Sequence, residues 1–112
     1  RGNLVAAAIA AIEDRKGSEI IALDLRGLSD AADYFVIASG TSDAHVRGIA
    51  DGVVSAMADR GTRVTHVEGM TGGRWILLDF ADLVVHLFHP ETRAYYGLER
   101  LWQDAPTIAT GA

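Results

Sequence analysis

Glu68–Trp102 reads EGMTGGRWILLDFADLVVHLFHPETRAYYGLERLW, and the order of apolar runs within it decides the fold. Trp75 to Leu78 and Leu83 to Phe88 are short apolar runs rich in β-branched and aromatic residues, as strands are. Asp79-Phe80-Ala81-Asp82 joins them, so two carboxylates sit at a hairpin turn between hydrophobic strands. Strand alternation places Trp75, Leu77 and Asp79 on one face and Ile76, Leu78 and Phe80 on the other. One of these sets must face away from the helices that cover the sheet, and that outward set is the candidate binding surface. Downstream, Pro90 suits a first helical residue, because its missing N–H would be unpaired there in any case. The segment from Glu91 to Gln103 is therefore expected to be helical, with an interruption at Gly97.

Working back toward the N-terminus, Leu4, Val5, Ala8, Ile9 and Ile12 recur at helical spacing and predict an amphipathic first helix that ends near Lys16-Gly17, with Gly17 as its C-cap. Glu19 to Leu25 reads as a strand, broken by Gly27 to Asp30. Tyr34 to Ser39 is an uninterrupted apolar run, expected of a strand buried on both faces at the centre of a sheet. Thr41, Ser42 or Asp43 can cap a second helix, whose buried face is Val46, Ile49, Ala50, Val53 and Met57 and whose end is Gly61. A short strand near Val64 to Val67 leads through Gly72-Gly73 to the hairpin. Strand, turn and helix in this order signal a single α/β domain over residues 1–106, with a mixed sheet of about five strands flanked by helices. Residues 107–112 are small and polar apart from Ile108, and are expected to fray.

Composition narrows the function. The 112 residues are 49% hydrophobic and 22% charged, ordinary for a globular domain, and no apolar run approaches the roughly 20 residues of a bilayer-spanning helix. A cytoplasmic protein without membrane contact is the expectation. With no cysteine, thiolate metal sites, disulfides and thiol nucleophiles are excluded. The net charge of −5 disfavours a phosphate backbone as partner, and Arg47, Arg60, Arg63 and Arg74 are scattered among carboxylates, so little or no nucleic-acid recognition is expected. An acidic module favours a basic partner.

Catalytic constellations are thin. Ser39-Gly40-Thr41-Ser42 could offer backbone amides to an anion at a helix N-terminus, but it lacks the phosphate-loop lysine and the Gly-x-Gly-x-x-Gly spacing, and plain capping is the simpler reading. Asp79 and Asp82 are three residues apart across a turn rather than alternating on one strand, which does not suit metal-dependent transfer. His86 and His89 point to opposite sides of a regular strand, so they do not chelate one ion; His86 reads as a packed strand histidine. Gly-x-Ser-x-Gly is absent. Neither metal nor cofactor is expected.

Several separated motifs resemble the ribosomal silencing factor family, also called the Iojap family. They are Glu68-Gly69; Trp75, Leu77 and Asp79; Val85, His86 and Phe88; Arg93, Tyr95 or Tyr96, Leu98, Glu99, Leu101 and Trp102; and, upstream, Ala32-Asp33-Tyr34-Phe35-Val36-Ile37-Ala38-Ser39-Gly40-Thr41-Ser42 with His45-Val46 and Ile49-Ala50-Asp51. The resemblance covers about Glu19 to Pro106. Ala81 stands where relatives have glycine.

The resemblance implies a nucleotidyltransferase-like topology and a translation repressor without enzymatic activity. It further implies binding to the large ribosomal subunit through ribosomal protein number fourteen, on the face that meets the small subunit, so that joining is blocked. The expected contact set is Trp75, Leu77, Leu78, Asp79, Asp82, His86, Arg93 and Tyr96. If the outward hairpin face is left uncovered, it should also pair with itself as a homodimer when no ribosome is present. The alternatives are a nucleotidyltransferase-like enzyme using Thr41, Ser42, Asp79 and Asp82, or a dimeric adaptor for an unrelated protein.

Overall fold

In the computed structural model, which describes residues 2–108 and side chains from Leu4 onward, six strands form one sheet in the order β3-β4-β5-β2-β1-β6. The elements are α1 (Gly2–Asp14), β1 (Ser18–Asp24), β2 (Tyr34–Ser39), α2 (Asp43–Asp59), β3 (His66–Glu68), β4 (Trp75–Asp79), β5 (Leu83–Phe88), α3 (Pro90–Tyr96), α4 (Leu98–Leu101) and β6 (Thr107–Ile108). β2 and β5 run parallel at the centre, and every other neighbouring pair is antiparallel, so the sheet is mixed. All residues of β2 and β5 are buried, as their unbroken apolar runs predict.

The sixth strand adds one to the about five expected. Thr107 and Ile108, assigned in sequence to a fraying tail, pair with Leu23 and Ala22 of β1, and Pro106 O accepts from Asp24 N–H at 2.9 Å. Without them β1 would leave a row of unpaired backbone groups at the sheet edge. Ile108, opposite Ala22, packs against the core. Residues 109–112 of the expected tail lie outside the described residues.

α1 and α2 cover one face of the sheet. Val5, Ile9 and Ile12 from α1 and Val46, Ile49, Val53 and Met57 from α2 meet Val36, Ala38, Ile76, Leu78, Val85 and Leu87 in one buried cluster. Helical spacing puts each set on one stripe, and burial of each large aliphatic side chain is worth roughly 1.5–3 kcal/mol. Ser42 caps α2 by accepting from His45 N–H at 3.0 Å. Both helices end in one hydrogen-bond pattern: Lys16 and Gly17 donate to Glu13 O and Ile12 O, and Gly61 and Thr62 to Ala58 O and Met57 O. The left-handed residue of that motif is Gly61 in α2 (φ 83) but Lys16 in α1 (φ 65), so Gly17 is not the turning residue expected of it. Gly17 is needed for closeness instead, since a Cβ there would stand 2.3 Å from Ile12 Cγ2.

The second face carries Leu23, Phe35, Ile37, Val84 and Phe88, covered by Leu98, Trp102 and Ala105 from α4 and the turn after it. As expected, helix resumes after Pro90 and breaks at Gly97, which is left-handed (φ 56). This cover is short. It does not extend over β4, and there the candidate site lies.

Candidate partner-binding surface

Register builds the surface. Residues directly opposite on neighbouring strands project to the same side, and the pairs Trp75↔Phe88, Leu77↔His86 and Asp79↔Val84 align β4 with β5, while Glu68↔Leu77 and His66↔Asp79 align β3 with β4. The face away from α1 and α2 therefore presents Trp75, Leu77 and Asp79, one of the two sets that alternation allowed. Trp75 and Leu77 are half-buried on it. Together with Glu68 and Gly69 they line a shallow hollow of about 300 Å³. Gly69 (φ 86) is required here, because a Cβ would fall 2.0 Å from the carbonyl oxygen of Trp75.

Aromatic rings extend the surface onto α3. Trp75 lies 4.9 Å from Phe88 below it and 4.9 Å from Tyr96 beside it, and Tyr96 meets Tyr95 edge-on at 5.0 Å. Tyr96 is 54% exposed, Tyr95 81% and Leu101 75%. Exposed side chains that stand together, as Tyr95 and Tyr96 do, mark interaction sites, and tyrosine and tryptophan dominate interface energetics. Tyr95 entered the sequence reading only as a choice against Tyr96, and Leu101 was not singled out as exposed. Both lie on helices too short for a hydrophobic stripe to reveal which residues turn outward.

Charge forms the margin. Glu68 pairs with His66 at 2.6 Å across the β3 edge. Asp79 Oδ1 accepts from Ala81 N–H at 2.8 Å and so shapes the hairpin turn, in which Ala81 takes a left-handed conformation (φ 74) that suits glycine better. Asp82 is exposed at the tip.

Three members of the expected contact set are not at the surface. Leu78 is fully buried, on the α1–α2 side, because it is one residue out of phase with Leu77. Arg93 is 7% exposed; its Nη1 donates to Ser39 Oγ at 2.8 Å and to Glu19 O at 2.7 Å, and its Nε to Glu99 Oε2 at 3.2 Å. It ties α3 and α4 to the ends of β1 and β2, where β1 is irregular in register and the exposed Glu19 (φ 50) offers its carbonyl to the guanidinium. His86 is 4% exposed beneath Trp75, and burial pushes its imidazole down to about 4, so it is neutral at physiological pH. Trp75 Nε1–H donates to its Nδ1 at 3.1 Å.

The rival enzymatic set does not assemble. Asp82 O accepts from Tyr34 N–H at the start of β2, whereas Thr41 and Ser42 follow its last residue, so the six residues of β2 separate the two pairs by roughly 20 Å. His89 caps α3 through Nδ1, which accepts from Glu91 N–H at 3.2 Å, and does not join His86. Among the described residues no three His, Cys, Asp or Glu side chains converge, and no helix is long and apolar enough to cross a membrane.

The family model described as ribosomal silencing factor during starvation matches residues 2–112. This chain belongs to the ribosomal silencing factor family. A ribosomal silencing factor of Bacillus subtilis is 46% identical over 99 residues, covering 88% of this chain and 84% of the relative. Another, of Halalkalibacterium halodurans, is 41% identical over 105 residues, covering 94% and 90%. A crystal structure of a Bacillus halodurans protein superposes with a TM-score of 0.87 at 37% identity over 97% of this chain and 99% of that one. The fold of this silencing factor is thus shared along essentially its whole length.

Proposed function

We propose that the protein represses translation by occupying the large ribosomal subunit and obstructing the small one, and that it does so by binding without catalysis. The observation that carries this reading is the open face over β4, where Trp75 and Leu77 are only half-buried and Tyr96 is exposed, although Ile76 and Leu78 on the other side of the same strand are fully buried beneath α1 and α2. An apolar centre with Glu68, Asp79 and Asp82 around it has the anatomy of a docking site for a basic protein surface. Ribosomal protein number fourteen of the large subunit is the proposed partner. The net charge of −5 supports approach to such a protein rather than to bare RNA.

Obstruction needs only bulk. The domain measures 34 × 34 × 28 Å, wide enough to separate two subunits wherever it sits on the joining face. The same apolar face is proposed to pair two free copies, which makes the monomer the active species and large subunits competitors of dimerisation. The test is a sucrose gradient of separated subunits mixed with the protein. Joined ribosomes should fall in proportion to occupancy with no added cofactor, and ribosomes joined beforehand should resist. An unchanged joined peak at saturating occupancy would refute occlusion.

A further inference from the structure

Trp75 stands at the centre of the open face, and a buried histidine holds it from below. Because His86 Nδ1 accepts from the indole Nε1–H, the proton of the neutral imidazole resides on Nε2. That nitrogen is enclosed and has no hydrogen-bond partner, and a buried N–H without an acceptor is destabilising. The ring is otherwise surrounded by aromatics, with Phe35 at 4.6 Å and Phe88 at 6.3 Å between centroids. A phenylalanine would satisfy such surroundings with no polar atom left over. Packing therefore does not account for histidine at this position, and the contact that sets it apart is the one to Trp75.

We propose that His86 is a positioning residue: its Nδ1 fixes the Trp75 indole in the orientation the partner meets, and its own side chain does not touch the partner. The indole is clamped between Phe88 and Tyr96 at 4.9 Å each, and the hydrogen bond removes its remaining freedom to swing outward. Ordering an interface side chain in advance removes that entropy loss from the binding step. The inference rests on the reading of this face as the docking surface.

Two substitutions separate the hydrogen bond from the packing. His86→Phe keeps an aromatic ring and loses the acceptor; His86→Gln offers an acceptor on a smaller side chain. The two tryptophan indole N–H signals of the ¹⁵N-labelled protein, Trp75 and Trp102, report the bond directly, with Trp102 as reference. H86F should speed solvent exchange of the Trp75 indole proton at least tenfold, leave Trp102 unmoved, melt no lower than the native protein, and weaken pelleting with large subunits about tenfold, as loss of one hydrogen bond would. H86Q should recover most of both effects. A purely structural histidine would instead lower the melting temperature and leave the indole signal in place.

An unchanged Trp75 indole signal in H86F overturns the proposal whatever the pelleting shows. Native-strength pelleting by H86F with the indole released overturns its role in docking. If H86F does not fold, the native protein decides: a Trp75 indole proton exchanging as fast as an unbonded one overturns the hold. If the native protein itself fails to pellet with large subunits, the functional reading falls, while the indole signals still decide what His86 does.

Discussion

Leu77 and Leu78 are neighbours on one strand and belong to different worlds. Leu78 is fully buried beneath α1 and α2; Leu77 lines the open hollow beside Trp75. The sealed face is apolar throughout β4 and β5, with Ile76, Leu78, Leu83, Val85 and Leu87, whereas the open one also carries Asp79 and His86. Helix length differs as well. α1 and α2 have 13 and 17 residues and span the sheet, whereas α3 and α4 have 7 and 4 and stop short of β4. A stable core and a binding surface thus arise from one strand by alternation, with side-chain polarity and the amount of helix on each side deciding which is which.

The largest expected effect breaks this comparison at its midpoint. Leu78→Ala should cost about 2–5 kcal/mol, the range for truncating a buried leucine, and lower the melting temperature by roughly 10 °C or more, with binding retained below the transition. Leu77→Ser should do the reverse, changing stability by less than about 1 kcal/mol while weakening large-subunit pelleting about tenfold. Thermal melts and pelleting on the same samples check both. Equal effects of the two on stability would show that the open face is core.

Acid provides the next test, and its sign follows from His86. The folded-state value of about 4 lies below the ordinary 6.5, so between these values the unfolded chain binds the proton and the folded chain does not. His86 therefore costs the fold nothing by titration above about pH 6.5, and destabilises it as pH falls toward 4, by up to about 3 kcal/mol. Denaturant melts should show that decline, and His86→Gln should flatten it. Asp24 is a separate case: hydrogen bonds from Arg26 hold it at about 2, so its contribution is lost only as pH falls below about 3.8.

The smallest effect sharpens the comparison at the hairpin. Ala81 (φ 74) occupies a conformation that costs a residue with a Cβ roughly 1–2 kcal/mol. Ala81→Gly should relieve about 1 kcal/mol of it, raising the melting temperature by a few degrees without altering pelleting, since the turn keeps its Asp79 hydrogen bond. No rise in a calorimetric melt would show that the turn is not strained.

Much of this could be read locally. The unbroken run Tyr34–Ser39, the alternation through Trp75–Asp79, the cap at Ser42, Pro90 as a helix start and the break at Gly97 are short-range signals, set by steric and hydrogen-bonding rules that act within a few residues. They established the α/β class, most strand bounds and the pairing of Trp75, Leu77 and Asp79 on one face. Other features depend on partners far along the chain. Arg93 looks like an exposed helical cation until Ser39 and Glu19, 54 and 74 residues away, take its hydrogen bonds. His86 reads as a packed strand histidine from its own run, but its hydrogen bond to Trp75 follows only from the register of β4 on β5. Thr107 and Ile108 look like tail until β1 offers an unpaired edge. The period of a strand says which residues stand together; only the packing of distant elements decides which side they face and how deeply they are buried.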